Sequence, residues 1–328
     1  MDKPKNTIVK ELNLEALQGY VAVVLPEDNM AESGRKILLK DFVQMLEREG
    51  GSRTGEDIED VHKMRVATRR MRTAFKLFQP YYKVKPIRPF MRMLKKAGAV
   101  LGTVRDLDVM IDELTHYQAI TDEAGRAAIQ GTIIQLDNQR VKAREKLIKF
   151  LDGSDYRKFV LAFSKFLVKK GKGARPIADG IAPYQVRHVV PVVVNSYLAD
   201  VCAYDTVLNG ETEPETFHTL RIEFKRLRYT VSHFGDVLGV SAGSFIEEIK
   251  IMQDHLGRMN DFVVARDRLS PLLDGDVLDN EQKTALQSYL DSLAMDKNEH
   301  IKTFSDAWQR FNSRTSRRML YDALLKLR

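Results

Sequence analysis

Two sets of basic residues in this chain recur at the spacing of one helix face. The first set follows intervals of three, four, three and four residues and consists of His62, Arg65, Arg69, Arg72 and Lys76. Such positions form one stripe along an α-helix, which turns by about 100° per residue. Guanidinium, ammonium and imidazolium groups donate charge-assisted hydrogen bonds to carboxylate and phosphate oxygens. The first stripe therefore predicts a site that binds an anion.

No carboxylate is interspersed among these cations. Residues 61–105 contain thirteen Lys and Arg and no Asp or Glu, so the other 283 residues carry a net charge of −6 within a total of +7. Like charges at i+3 and i+4 destabilise a helix by about 0.2–0.5 kcal/mol per pair. An external anion is the simplest reason for tolerating that repulsion. The stripe is about 21 Å long at the helical rise per residue, which suits a linear polyanion better than a single phosphate.

A second copy of the pattern lies 156 residues further along the chain. The second stripe repeats the first four positions of the first and consists of His218, Arg221, Lys225 and Arg228. An internal repeat of this kind indicates one helical unit used twice. We therefore expect two helical bundles related by a pseudo-two-fold axis.

Two further groups of residues belong with the stripes. Arg88, Arg92 and Lys95 share a helix face within the acid-free run, so they are predicted to extend the anion site. Each copy is also followed by a Leu-Gly step that ends in an aspartate, Asp106 or Asp261. We expect each aspartate to orient an Arg or His of its stripe through a charge-assisted hydrogen bond.

Helices must position these residues. Beside the first stripe lies an apolar seam at the same spacing, formed by Val61, Met64, Thr68, Met71, Phe75 and Phe78. Helical spacing of apolar residues runs through most of the chain and strand-like alternation is scarce, so the fold class is predicted to be all-α. The predicted helices cover residues 31–49, 59–79, 87–116, 122–151, 155–170, 184–208, 214–235, 242–271 and 280–312. The Gly- and Pro-containing stretch 169–183 is predicted to be a linker.

Composition limits the classes of protein to consider. The 328 residues are 44% hydrophobic and 30% charged, which is typical of a globular protein and not of a disordered one. One cysteine excludes an intramolecular disulfide framework and favours a reducing compartment. The apolar stretch near the N-terminus is far shorter than the roughly 18 residues that span a membrane. The sequence therefore predicts a soluble cytoplasmic protein without a membrane partner.

The doubled motif resembles that of the CHAD domain, the conserved histidine α-helical domain. It reads His-x-x-Arg-Val-x-x-Arg-Arg-x-Arg from His62 and His-x-x-Arg-Ile-x-x-Lys-Arg-x-Arg-Tyr from His218, and Leu-Gly-x-x-Arg-Asp follows the first copy. The resemblance covers residues 26–320, preceded by an N-terminal extension, 1–25. Its first half is expected at 26–173 and its second at 184–320.

The resemblance implies two antiparallel four-helix bundles with a basic cleft or channel between them, and binding of inorganic polyphosphate. By position, both stripes become candidate polyphosphate contacts, while Arg70 and Arg226 match the motif but point elsewhere on the helix. The second half departs from the pattern at Asn260, where the first has Arg105, and at Glu223 inside the motif. Unequal contributions from the two halves are expected. Association with polyphosphate or other storage granules would follow from that ligand.

Two other classes of function remain open. Nucleic-acid binding could use the same basic surface, although aromatic platforms are confined to Tyr81, Tyr82 and Tyr229 near the stripe ends. A phosphohydrolase or phosphotransferase could use His62 or His218, but it would need a metal or a base. Neither a P-loop nor the Glu-x-Glu-x-Lys signature of a CYTH triphosphatase occurs in the sequence. The expectation is a binding protein, not an enzyme, with neither a metal nor another cofactor.

Overall fold

The protein is helical throughout the part that the structure describes. A computed structural model describes residues 14–176, 184–208, 214–275 and 278–328. Within these ranges no β-strand occurs, and extended pairing is limited to the isolated bridges Asn29 with Gln185 and Tyr82 with Ala174. The predicted all-α class is confirmed, whereas the arrangement as two four-helix bundles stays a prediction.

Thirteen α-helices are found in the described ranges. In chain order they are α1 Leu14–Gly19, α2 Met30–Glu47, α3 Glu49–Thr54, α4 Ile58–Phe78, α5 Val84–Ile120, α6 Glu123–Leu151, α7 Ser154–Leu167, α8 Val186–Cys202, α9 Pro214–His233, α10 Gly235–Leu238, α11 Val240–Asp274, α12 Asn280–Phe311 and α13 Arg314–Leu325. Short 3-10 helices occupy Gln79–Tyr81 and Ala203–Thr206. No helix within the described ranges is both long and apolar enough to cross a membrane.

The chain divides into two compact units. Unit 1 comprises residues 1–108 and 140–190, and unit 2 comprises residues 109–139 and 191–328, with the described ranges as above. The long helices α5 and α6 therefore each contribute residues to both units. The predicted boundary in the linker stays a prediction, and residues 177–183 of that linker, like residues 1–13 of the predicted extension, lie outside the described residues.

An aromatic cluster holds the helices of unit 1 together. Phe163 of α7 is fully buried, and its ring centroid lies 5.0 Å from that of Phe42 in α2, 5.8 Å from Phe75 in α4 and 4.8 Å from Phe90 in α5. All six residues of the predicted seam of α4 are buried. Because the seam fixes the rotation of α4 about its axis, it also fixes where the adjacent stripe of cations lies.

Unit 2 repeats this construction with other rings. Phe311 of α12 packs at 4.8 Å from Phe224 of α9 and at 5.9 Å from Phe245 of α11, again measured between centroids. Trp308 stands one turn away, and its indole Nε1 donates a hydrogen bond of 2.7 Å to Asp205. The second stripe lies on α9, which is therefore held by the same kind of aromatic contact as α4.

The sequence periodicity missed the shortest and the last helices. Helices α1, α3 and α10 span four to six residues, too few for a periodic pattern to indicate them. Helix α13 follows α12 after two residues, and Ser313 starts it by accepting a hydrogen bond from the backbone N–H of Ser316. The predicted helix 280–312 ends where α12 ends, but the N-cap signal at Ser313 was not used.

Candidate functional site

The first stripe lies along one side of α4, beside the buried seam. His62, Arg65, Arg69 and Arg72 are half-buried, and Lys76 at the end of the stripe is exposed. Half-burial means that the aliphatic stems pack on protein while the charged ends reach its surface. Arg88, Arg92 and Lys95, at the start of α5, are all exposed. The structure thus places every predicted cation of the first half at the surface of unit 1 or close to it.

Two glycines of α5 make room for the arginines of α4. A Cβ atom added at Gly98 would come within 3.1 Å of Nη1 of Arg72, and one added at Gly102 would lie 3.7 Å from Nε of Arg65. The guanidinium groups therefore lie against the backbone face of α5 where side chains are missing. The sequence analysis missed Gly98, and its signal was its place four residues before Gly102, on the same helix face.

Five cations of the first half have no carboxylate close by. Within the described ranges no Asp or Glu oxygen lies within 4.0 Å of the charged nitrogens of Arg72, Lys76, Arg88, Arg92 or Lys95. Arg65 differs, because its Nη2 lies 3.6 Å from Oδ1 of Asp106, with both side chains partly exposed. That contact places Asp106 beside the arginine that it was predicted to orient, and the orienting role itself stays a prediction.

The imidazole of His62 is held in a positive environment. Its Nδ1 is buried and has no hydrogen-bond partner among the described residues. Burial lowers the pKa of His62, and the charge of Arg105, followed by those of Arg69 and Arg65, lowers it further against the opposing effect of Glu59. These effects favour the neutral ring in the free protein, and an arriving polyanion would favour its protonation.

The second stripe has the same order but a different setting. His218 is exposed, and its Nδ1 lies 3.3 Å from Oδ1 of Asn260. Arg221, Lys225 and Arg228 are half-buried, and the guanidinium of Arg228 stands over the ring of Tyr229, 4.9 Å from its centroid. The stacked ring fixes the direction of Arg228 without neutralising its charge.

Comparisons with known proteins bear on this arrangement. The chain matches the CHAD domain family over residues 36–270, which is more than two thirds of its length and includes both stripes. The protein belongs to the CHAD domain family. The resemblance predicted from the doubled motif is thereby confirmed, and with it the link of this family to polyphosphate binding and metabolism.

Similar structures and relatives extend the match along the chain. The crystal structure of the CHAD domain from the plant Ricinus communis is similar with a TM-score of 0.72 and 19% identity, covering 88% of this chain and 94% of that one. PptA from Streptomyces chartreusis is similar with a TM-score of 0.62 and 14% identity, covering 86% of this chain and all of the other. At these identities the likeness shows the CHAD fold alone.

Two uncharacterised proteins of Mycobacterium tuberculosis, from strains CDC 1551 and H37Rv, are each 26% identical over 220 residues. The match covers 64% of this chain and 39% of either relative. The CHAD chain therefore spans about two fifths of the length of the curated relatives that it matches.

Not every arginine of the CHAD motif lies on a stripe. Arg70 donates a hydrogen bond of 2.7 Å to the buried Asp41, whose pKa burial raises to about 6 against the lowering effect of Arg70. Arg226 lies 2.8 Å from Glu223 and 3.8 Å from Asp200. Both arginines point away from the stripes, as their helical positions predicted, and both are paired with carboxylates of their own unit.

Asp261 lies in a mixed environment in unit 2. Burial raises its pKa, while the charges of Arg221 and Arg258 lower it. A second carboxyl group, that of Glu113, lies close by. Burial raises the pKa of Glu113, and the charge of the neighbouring Asp261 raises it further. The sequence analysis did not connect Glu113 with this site, since nothing in the repeat indicates which residues of α5 pack in unit 2. Within the described residues, no group of three or more His, Cys, Asp or Glu is placed to hold a metal ion.

Proposed function

We propose that this CHAD protein binds inorganic polyphosphate without chemically altering it, through the two stripes together with Arg88, Arg92 and Lys95. One observation carries the proposal. Arg72, Lys76, Arg88, Arg92 and Lys95, all of the first stripe or its extension on α5, have no described carboxylate within 4.0 Å, whereas Arg70 and Arg226, which leave the stripes, are each paired with a carboxylate. The two motif arginines that leave the stripes are thus neutralised within the protein, and these five cations are available to a ligand from solution.

The chemistry of the stripes suits a phosphate polymer. An arginine can donate two parallel hydrogen bonds to the oxygens of one phosphoryl group, and each neutralised phosphate releases a condensed counterion. Asp106 and Asp261 would orient Arg65 and Arg221 for this contact. The link of the CHAD family to polyphosphate supports polyphosphate as that polymer.

Nucleic acid fits the same surface less well. A single-stranded nucleic acid needs exposed aromatic rings on which its bases stack. Tyr82 is buried and donates a hydrogen bond of 2.5 Å to the backbone oxygen of Ala31, and Tyr229 is buried beside Arg228. Two of the three rings next to the stripes are thus committed to packing, and Tyr81 is half-buried, which supports a polymer without bases.

A gel-shift titration with polyphosphates of several chain lengths tests the proposal. Binding is expected to strengthen with length and to weaken steeply with salt. Single-stranded DNA of matched charge serves as the competitor and should displace polyphosphate poorly. Equal affinity for the two polymers would contradict the assignment. Release of orthophosphate from the bound polymer, measured with and without a divalent metal, would contradict the non-enzymatic part.

A further inference from the structure

A small cavity adjoins the second stripe within unit 2. It has a volume of about 150 Å³ and lies between helices α9, α11 and α12. Apolar side chains, among them Phe217, Leu256 and Met259, form most of its wall, and His218, Asn260 and Lys297 add polar groups. His218 therefore belongs to the stripe and to the cavity at once.

The cavity lies where the two copies of the repeat differ. In unit 1, Arg105 of α5 extends toward Glu59 of α4, with Nη1 at 3.8 Å from Oε1, and its charge lowers the pKa of the neighbouring His62. The equivalent positions in unit 2 are Asn260 and Glu215, and both line the cavity. An asparagine is too short to bridge that distance, so the space occupied by an arginine in the first copy stays open in the second.

The size and lining of the cavity select the kind of group that it would take. A cavity of about 150 Å³ between apolar side chains is large enough to enclose one aromatic ring, so it would hold one ring of a base and leave the remainder at its mouth. Asn260 has an amide donor, and its Oδ1, which lies 3.3 Å from Nδ1 of His218, has a second lone pair as an acceptor, the pairing by which amide side chains recognise the edge of a base. The wall thus combines an apolar surface for a flat ring with polar groups for its edge.

The cavity lies at the start of the second stripe, so a ring bound in it could carry phosphates that contact the stripe. His218, Arg221 and Lys225 lead away from it along α9, and the distance from the first to the last is about 10 Å at the helical rise. A chain of three phosphates attached to the ring would lie along these cations. The wall itself carries one residue of each charge, Lys297, whose Nζ lies 5.3 Å from the ring centroid of Phe262, and Glu215, so the phosphate contacts would come from the stripe.

We propose that the second copy binds a nucleoside triphosphate, with its base in the cavity and its phosphates on the second stripe. The inference rests on the proposed function, because the stripe supplies the phosphate contacts. It adds a nucleotide to polyphosphate as a ligand of the second copy, and it gives the two copies of the motif different functions.

Comparing ATP with inorganic tripolyphosphate tests the inference, with both ligands titrated by calorimetry in EDTA so that no metal is bound. Tripolyphosphate is the more highly charged of the two, so electrostatics alone would favour it. We expect ATP to bind about tenfold more tightly, because enclosing a base against aromatic and apolar side chains contributes at least that much.

Filling the cavity should remove only this preference. The substitution Val263→Trp places an indole in the cavity, and Ile301→Trp does so from a more exposed position, 39% accessible. Both variants should bind ATP no better than tripolyphosphate and keep the wild-type affinity for tripolyphosphate. Val264→Trp is the matched control, since Val264 is exposed on the same helix and does not line the cavity.

The outcomes separate the inference from the function on which it rests. Wild-type protein that binds long polyphosphate but prefers tripolyphosphate to ATP would overturn the nucleotide site alone. A preference for ATP that persists in both filled variants, with circular dichroism showing them folded, would overturn the cavity as its cause. Failure of the wild type to bind polyphosphate of any length would overturn the proposed function.

Discussion

At the scale of single residues, the proposed function predicts that His62 makes polyphosphate binding depend on pH. Burial and the charge of Arg105 lower the pKa of His62 below its ordinary value of about 6.5, so in the free protein the ring takes up a proton only at a lower pH than usual. A bound polyanion favours the protonated ring, and binding therefore consumes a proton. We predict that polyphosphate affinity rises as pH falls from 8 to 6, by at most about tenfold per pH unit for this one group.

Replacing His62 isolates that contribution. The dissociation constants of wild type and of His62→Gln are compared across this pH range at constant ionic strength. The variant should show a shallower pH dependence. His116→Gln is the control, because His116 is exposed on α5 and outside both stripes. A pH dependence that is the same in His62→Gln and in wild type would contradict the coupling.

The same lowered pKa has a consequence for the free protein. An unfolded chain has no buried His62 and binds a proton near pH 6.5, whereas the folded chain resists it. Stability should therefore fall as pH drops below about 6.5, because the unfolded state then holds more protons. Urea unfolding at pH 7.5 and 5.5 should show a smaller loss in His62→Gln than in wild type. An equal loss in both proteins would contradict the assignment of this effect to His62.

Gly98 has a role that can be separated from stability. A methyl group there would come within 3.1 Å of Nη1 of Arg72 and displace a flexible guanidinium. We predict that Gly98→Ala weakens polyphosphate binding severalfold, while the helix gains up to about 1 kcal/mol from the higher helix propensity of alanine.

Gly243→Ala in α11 is the matched control for this prediction, since no atom lies within 4 Å of a Cβ atom added at Gly243. It should gain a similar stability and keep the wild-type affinity. Thermal unfolding and a binding titration measure the two effects separately. Unchanged polyphosphate affinity in Gly98→Ala would show that the position of Arg72 does not matter for binding.

At the scale of elements, the proposed function makes each stripe a row of phosphate contacts on one helix. Every phosphate contact removed lowers the slope of log K against log salt by about 0.7–0.9. The double variant Arg65→Ala with Arg221→Ala should therefore bind more weakly and lose about one to two units of slope. Both arginines are half-buried at the surface rather than in a core, so the helical content should not change.

The control for the stripes removes two arginines elsewhere. Arg226 and Arg266 are each within 2.8 Å of a protein carboxylate, and both are exposed. Arg226→Ala with Arg266→Ala should leave the salt slope close to that of wild type. If both double variants lose the same slope, net charge and not the stripe determines binding.

Long helices were the elements that the sequence predicted well. The predicted helix 59–79 is observed as Ile58–Phe78, and the predicted helix 122–151 as Glu123–Leu151. Their apolar seams persist over several turns, and Asp57 caps the first of them with a hydrogen bond to the backbone N–H of Glu59. Periodicity and capping are local properties, and a single sequence contains them in full.

Relations between helices were less predictable. The repeat aligned Arg105 with Asn260, but only the packed structure reveals that a shorter side chain leaves a cavity beside His218. The repeat in the sequence also could not indicate that residues 109–139, from α5 to α6, belong to unit 2. Both features depend on tertiary contacts between distant segments, which helical spacing does not contain.

At the scale of the whole molecule, the proposed function gives one ligand two binding surfaces, one for each copy of the motif. A polyphosphate chain held by one stripe keeps its free end at a high effective concentration near the same molecule. We therefore predict that one long chain engages both stripes, so that affinity rises sharply once the chain exceeds the length of the longer stripe, the first, about 21 Å.

Single-stripe variants measure this prediction directly. Arg72→Ala with Lys76→Ala disables the end of the first stripe, and Lys225→Ala with Arg228→Ala disables that of the second. For short chains each variant should lose only the contacts of its own stripe. For long chains either variant should also lose the rise with length, because the gain depends on both surfaces being intact. If both variants keep the full length dependence of the wild type, each stripe binds its own chain and the duplication supplies two separate sites.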